Sequence, residues 1–336
     1  MLALFYILIG ISIASVIWQL TNIFNLKTDV ADESDNDQQG KLMFVFMIGF
    51  YALMIFSFWK YSAVLLPEAA SREGARIDNL YMYTMGLILV VQAIMQFLIF
   101  YFAYKYRGVK GRKALFYSDS HKLETIWTIT PSVVLAGLII YGLSVWVDIT
   151  DVSDMEDPMV IEIYAKQFSW EARYAGDDNA LGRANVRFIK GLNSMGVDMT
   201  DLNAADDIPV RELHLVKGRP VIFKLRSQDV LHSAYMPHFR NQMNCVPGMV
   251  TQMAFTPTMT TEEMRLNDKI VAKVENINKI RAEKGEDTYE FDYLLLCNKI
   301  CGASHYNMQM KIIVETEDEF EDWMLEQQSL TEVLNK

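Results

Sequence analysis

Apolar residues follow two different rhythms along this chain, and the change falls near Asp148. Before it lie four uncharged stretches, residues 1–26, 42–59, 80–104 and 125–147. A helix rises about 1.5 Å per residue, so runs of about 18 residues or more can cross a hydrocarbon core about 30 Å thick. The pattern therefore predicts four transmembrane helices. After Asp148 the runs become short and alternating, at residues 160–165, 210–216, 221–226, 250–255, 289–296 and 311–315. Period-two alternation broken by Gly, Pro, Asn and Asp predicts strands of a small sandwich or barrel. Two stretches depart from it. Thr260 and Glu263 form a capping-box pattern ahead of Leu266, Ile270, Val274, Ile277 and Ile280, which predicts an amphipathic helix ending near Gly285. Thr316 and Glu319 open a terminal helix with Phe320, Trp323 and Met324 on one face. Residues 177–209 are polar and read as an elaborate loop.

Charge supplies an orientation. The loop between the third and fourth spans sets Lys105, Arg107, Lys110, Arg112, Lys113 and Lys122 against Asp119 alone, which assigns it to the cytoplasm. The domain after the fourth span then lies on the opposite face. The first span lacks a basic start and a clear small-x-small cleavage site, so it reads as a retained span. From Asp148 onward the chain holds 32 acidic and 20 basic residues, a net charge of −12. That balance argues against nucleic acid and favours a basic partner or plain solubility.

Three cysteines are too few for a disulfide framework, and no Cys-x-x-Cys-His motif for attached haem occurs. The informative stretch runs Cys297-Asn298-Lys299-Ile300-Cys301-Gly302-Ala303-Ser304-His305-Tyr306-Asn307-Met308. Two thiols, an imidazole and a thioether make a soft donor set of the kind copper prefers. One copper of the blue type uses a single Cys, so a second Cys points to two ions bridged by thiolates. His232, in Asp229-Val230-Leu231-His232-Ser233, is the candidate for a further imidazole. Zinc is the competing metal, because two Cys and two His also make a tetrahedral set; Met308 argues for copper. Cys245 stands before Pro247-Gly248 and is expected not to ligate, and His238 is a candidate to support His232 from outside the ligand set. His214 and His121 are expected to be structural or solvated.

These residues, with Leu123-Glu124-Thr125-Ile126-Trp127-Thr128-Ile129-x-Pro131 in the fourth span, resemble cytochrome c oxidase subunit II from about Leu80 to the end. The resemblance implies a cupredoxin-like periplasmic domain on a bacterial inner membrane. It implies a binuclear copper centre bridged by Cys297 and Cys301, with His232 and Met308 on one ion and His305 and the backbone carbonyl of Lys299 on the other. It further implies electron receipt from a soluble or tethered cytochrome c, and delivery to a haem-bearing subunit I that reduces oxygen and pumps protons. The haems would belong to that partner subunit alone. Glu124 matches a glutamate at a proton-path entrance. The stretch Gln167-Phe168-Ser169-Trp170 matches the family's electron-entry patch, with Phe168 where a tryptophan is usual and Trp170 equally readable as core. Residues 1–79 would form an extra transmembrane hairpin, 80–147 the family's hairpin and 148–336 the copper domain, with inserts at about 177–209 and 260–285. The inserts read as decoration or as a docking surface for a respiratory supercomplex partner. Competing readings are a tethered copper domain of a nitrous-oxide or nitric-oxide reductase type complex, a copper-free quinol-oxidase subunit and a zinc-stabilised anchor.

Overall fold

The computed structural model of the chain describes residues 2–24, 32–153 and 155–335. Four long helices come first: α1 (Leu2–Phe24), α2 (Glu33–Tyr61), α3 (Arg72–Lys105) and α4 (His121–Thr150). Among the described residues three of them, α2, α3 and α4, are long and apolar enough to cross a membrane. The expected four spans are thus corrected to three. The predicted span 1–26 is helical over Leu2–Phe24, and its apolar stretch among the described residues is Ile9–Thr21. Residues 1, 25 and 26 of that span lie outside the described residues.

The chain divides into two compact units, residues 1–65 with 85–127 and residues 66–84 with 128–336. In the first unit, α2 and α3 meet through aromatic rings. Gly40 lies under Tyr104, where an added Cβ would stand 3.0 Å from the ring. Phe44 meets Tyr104 edge-on at 5.0 Å, and the Tyr51 hydroxyl donates to the Ala93 carbonyl at 2.6 Å. Asp37 closes that end by pairing with both Lys41 and Arg107.

Among the described residues the second unit holds ten strands in two five-stranded sheets. One is built from β1 (Met159–Lys166), β2 (Ser169–Tyr174), β3 (Ile208–Val210), β5 (Val221–Ser227) and β8 (Thr251–Phe255), in the order β3-β2-β1-β5-β8. The other is built from β4 (Leu213–Val216), β6 (His232–Met236), β7 (Asn241–Cys245), β9 (Tyr293–Cys297) and β10 (Gln309–Glu315), in the order β4-β10-β9-β6-β7. β1 runs parallel to β5 and β10 parallel to β4; the other pairings are antiparallel. Inward positions such as Ile161, Ile163, Phe223, Leu225, Leu295 and Ile312 are fully buried between the sheets, as period-two alternation requires.

The opposite face of the first sheet departs from that pattern. Glu162, Tyr164, Arg173 and Arg226 alternate with the core residues, yet all four are buried. Residues 177–209 lie over them. Arg173 Nε donates to Glu162 at 2.5 Å, its Nη1 to Asp207 and its Nη2 to the Gly182 carbonyl at 2.7 Å. Arg226 pairs with Glu162 and donates to the Met195 carbonyl at 2.8 Å. The polar insert is therefore fastened by two guanidinium groups reaching from the sheet to its backbone.

The expected helix ahead of Gly285 is two helices, α5 (Thr261–Arg265) and α6 (Asp268–Lys284). Thr260 and Glu263 form the predicted capping box, but the Asn267 side chain accepts from Lys269 N–H and starts a new helix. Gly285 ends it with φ of +68°, in the left-handed region that glycine enters without steric cost. α7 (Glu317–Leu325) opens on its Thr316 box as expected, and α8 (Leu330–Leu334) follows.

The connector from α2 to α3 also belongs to the sandwich unit. Ala70 N–H donates to His238 O at 2.7 Å, Thr258 N–H to Ala70 O at 2.9 Å and Arg72 N–H to Thr256 O at 3.0 Å. Glu73, buried, accepts from Thr256 N–H, and Asp78 pairs with Arg240. The first turns of α3 are therefore fastened to the β-domain within this unit. His238 is held in this seam by the Glu68 carbonyl at 2.9 Å, with Phe291 and Tyr293 edge-on to its ring.

Burial depresses the His238 pKa from 6.5 to about 4, the Glu68 carbonyl offsetting part of the shift. Its folded pKa lies below the unfolded one, so the unfolded chain binds more protons between the two values. Stability is then full above about pH 6.5 and falls by about 3 kcal/mol as pH drops to about 4. Thermal unfolding of His238→Gln should lack this component of the acid slope while keeping the remainder.

Candidate metal centre

The donor residues arrive from three strand ends. β6 lies between β7 and β9, with Ala234 opposite Cys297, which places His232 beside the carboxyl end of β9. β9 and β10 are antiparallel neighbours, so the stretch joining them must fold back on itself. It does so by hydrogen bonds from Cys297 N–H to Met308 O at 3.1 Å and from Asn298 N–H to Ser233 O at 3.0 Å. A twelve-residue run thereby becomes a closed loop whose donors face one another.

Cys297 Sγ lies 3.8 Å from His232 Nδ1 and 3.9 Å from Cys301 Sγ. Cys301 Sγ lies 3.6 Å from His305 Nδ1 and 3.8 Å from Met308 Sδ. The Cys297 thiol donates to the Lys299 carbonyl at 3.2 Å. The two sulfurs are far beyond disulfide bonding distance and suit a shared ion with metal–sulfur bonds of about 2.3 Å. His232 is fully buried, Met308 is 1% exposed and Cys301 5%, whereas the Lys299 side chain faces solvent. The loop contributes a carbonyl there and sends its ammonium outward.

Surrounding groups fix these donors. Asp229 accepts from His232 Nε2–H at 2.8 Å, which keeps the Nδ1 lone pair aimed at the thiols. Burial works against the Asp229 charge, but donation from Gln167 N–H, His232 and Val230 N–H outweighs it and holds the carboxyl below its usual range. Gln167 Nε2–H donates to the Cys301 carbonyl, and the indole N–H of Trp170 to the Met308 carbonyl at 3.4 Å. Asp229 and Gln167 lie within the sequence stretches already singled out, but their roles appear only when the β1–β2 turn of one sheet meets the start of β6 in the other. Gly302, with φ of +142°, lets this approach happen: an added Cβ would lie 2.8 Å from the Phe168 ring.

Other candidates separate from the set. Cys245 is buried opposite His232 on β7, and burial pushes its thiol up to about 12, which keeps it a neutral apolar filler. Trp170 is buried with its ring 6.2 Å from that of His232, while Phe168 is half-buried over the loop. His238 belongs to the connector seam. His214 stacks on Trp323 at 3.9 Å and pairs with Glu315, remote from the thiols. Glu124, in the first turn of α4, is half-exposed and 3.5 Å from the solvated His121.

A family model described as cytochrome c oxidase subunit II, transmembrane domain, matches residues 57–145. An alternative cytochrome c oxidase subunit 2 of Bradyrhizobium diazoefficiens is 30% identical over 292 residues, covering 86% of this chain and 91% of that one. The chain belongs to the cytochrome c oxidase subunit 2 family. A second relative, cytochrome c oxidase subunit 2 of Synechocystis, is 22% identical and covers 77% of this chain and 75% of its own. Among solved structures, the periplasmic domain of subunit II of cytochrome oxidase of Bradyrhizobium japonicum shares 17% identity. It covers 51% of this chain and 93% of its own, at a TM-score of 0.31. Family membership places the protein among subunits of a haem-copper oxidoreductase and makes copper the metal its members imply. The residues present fit that ion: sulfur and nitrogen donors dominate, and the buried thioether of Met308 would be wasted on zinc.

Proposed function

We propose that this chain receives electrons for a proton-translocating cytochrome c oxidase, using a binuclear copper centre in a cupredoxin-like domain on the periplasmic side of a bacterial inner membrane. The observation that carries the reading is the chain of soft donors 3.6 to 3.9 Å apart, His232, Cys297, Cys301, His305 and Met308. Cys297 and Cys301 would bridge the ions, His232 and Met308 would complete one, and His305 with the Lys299 carbonyl the other. Bound there, thiolate-bridged copper supplies a one-electron store with little change of shape. The protein's own part is to keep that shape. Asp229 fixes the His232 ring, Trp170 and Gln167 hold the carbonyls of Met308 and Cys301, and the strand ends exclude water from four of the donors. Phe168, lying over Gly302, is the outer aromatic group of the proposed electron entry, with Trp170 behind it. A cytochrome c, soluble or tethered, is the proposed donor and the haem-bearing subunit I the acceptor. Glu124 is assigned to the mouth of the proton path.

Metal analysis of the purified oxidase complex tests this. The expected result is about two coppers assigned to this chain, beyond those of the catalytic subunit, with the optical and electron-resonance signature of a shared unpaired electron. Zinc in their place, or one copper with a mononuclear spectrum, would overturn it.

A further inference from the structure

The loop after α3 carries positive charge that acidic side chains mostly leave unneutralised. Of its basic residues only Arg107 is neutralised, by Asp37; among the described residues, Lys105, Lys110, Arg112, Lys113 and Lys122 make no ion pair with an acidic side chain. The loop nevertheless has a definite shape. Arg112 Nη1 donates to the Lys105 carbonyl at 2.7 Å, folding the chain back on the last turn of α3, and Arg112 N–H donates to Val109 O at 3.0 Å. Lys105 Nζ lies 5.3 Å over the Tyr101 ring and 5.6 Å over that of Tyr106, which places its charge at the end of the apolar helix. The result is an open cleft of about 600 Å³ whose walls include Lys105, Tyr106, Arg112, Lys113 and Leu115. Immediately beyond it stand Leu115, Phe116 and Tyr117, exposed at 94%, 95% and 74%. Among the described residues these three side chains stay largely uncovered.

We infer that this cleft binds an anionic phospholipid of the adjacent leaflet, its phosphate held by Lys105, Arg112 and Lys113 and its acyl chains lying along Leu115, Phe116 and Tyr117. The chemistry calls for both halves of such a ligand. Unpaired basic groups next to a membrane-crossing helix are drawn to the negative lipid surface, and aromatic residues favour the same interfacial depth. A small soluble anion would use the cations and leave three adjoining apolar side chains in water. An anionic lipid covers both, and its position at the end of α3 is where headgroups lie.

The test is native mass spectrometry of the full chain in neutral detergent, titrated with phosphatidylglycerol or with phosphatidylcholine of the same acyl length. Phosphatidylglycerol should be retained at least about fivefold better, each of Lys105→Gln, Arg112→Gln and Lys113→Gln should lower that preference by about fivefold or abolish it, and ionic strength near 0.5 M should erase it. The doubly substituted Phe116→Ser, Tyr117→Ser chain keeps every charge and should still retain the lipid less well, while inorganic phosphate should not compete. Equal retention of the two lipids, or a preference untouched by the three cation substitutions, would overturn the proposal. So would full displacement by inorganic phosphate, or unchanged retention in the serine variant, since either removes the lipid from the site. The substituted residues are exposed and lie outside the metal centre, so the unaltered chain and its salt response provide a readout independent of the variants' folding.

Discussion

Cys297→Ser or Cys301→Ser should eliminate the coupled two-copper signal altogether and reduce electron delivery from cytochrome c to a small residue of the parent rate. Each thiol touches donors on both of its sides: Cys297 meets His232 and Cys301, and Cys301 meets His305 and Met308. Removing either therefore breaks the chain of donors in the middle, where removing Met308 would trim only an end. A hydroxyl is a harder donor than a thiolate and does not bridge copper in its place. Cys245→Ser is the matched control, since that sulfur is buried, neutral and outside the donor chain; copper content and spectrum should persist, with a loss of stability from the buried hydroxyl alone. Optical and electron-resonance spectra of the purified complexes decide the matter, and a coupled signal surviving in Cys301→Ser would refute the bridge assignment.

Arg173→Met should destabilise the sandwich by about 3–5 kcal/mol, the usual consequence of withdrawing one partner from a buried charge network. Arg173 is 2% exposed and contacts Glu162, Asp207 and the Gly182 carbonyl at once. Without it Glu162 retains Arg226, but Asp207 loses its guanidinium and keeps a buried oxygen that already has no hydrogen-bond partner. The clearest sign should be local: protease sites in residues 177–209 should open before the sandwich melts, because the insert loses one of its two fastenings. Limited proteolysis with thermal unfolding would check it, and a variant as stable and resistant as the parent would show that the network contributes little.

The metal loop was readable in the sequence because its donors are close together and their chemistry is unusual; spacing alone put Cys297, Cys301, His305 and Met308 in one place. His232 lies sixty-odd positions upstream, and the sequence offered it as the candidate second imidazole without showing that the strands bring it to the loop. The strands rich in aliphatic residues, such as β1, β5 and β10, were visible by alternation. β2, β6 and β7 were not, because Ser169, Glu171, Arg173, His232, Ser233, Asn241, Gln242 and Asn244 dilute their apolar pattern. Of these, Glu171 and Arg173 hold the insert, and His232 and Ser233 meet the metal loop. The covered face of the first sheet was not legible either, because the partners of Glu162 and Arg173 are brought to them only by the fold.

The seam between the α2–α3 connector and the β-domain has a mechanical consequence. A domain hung from one helix can swivel about that attachment, and its metal loop would sweep an arc. Here the domain is joined covalently through α4 and gripped a second time by the connector, through backbone bonds at Ala70 and Arg72 and the Asp78–Arg240 pair. An Arg76–Asp148 contact at 2.6 Å ties the two attachments to each other. Two anchorages remove the swivel that one would leave, so the thiols keep a constant bearing toward whatever redox group stands beside this unit, and successive electrons depart over the same path.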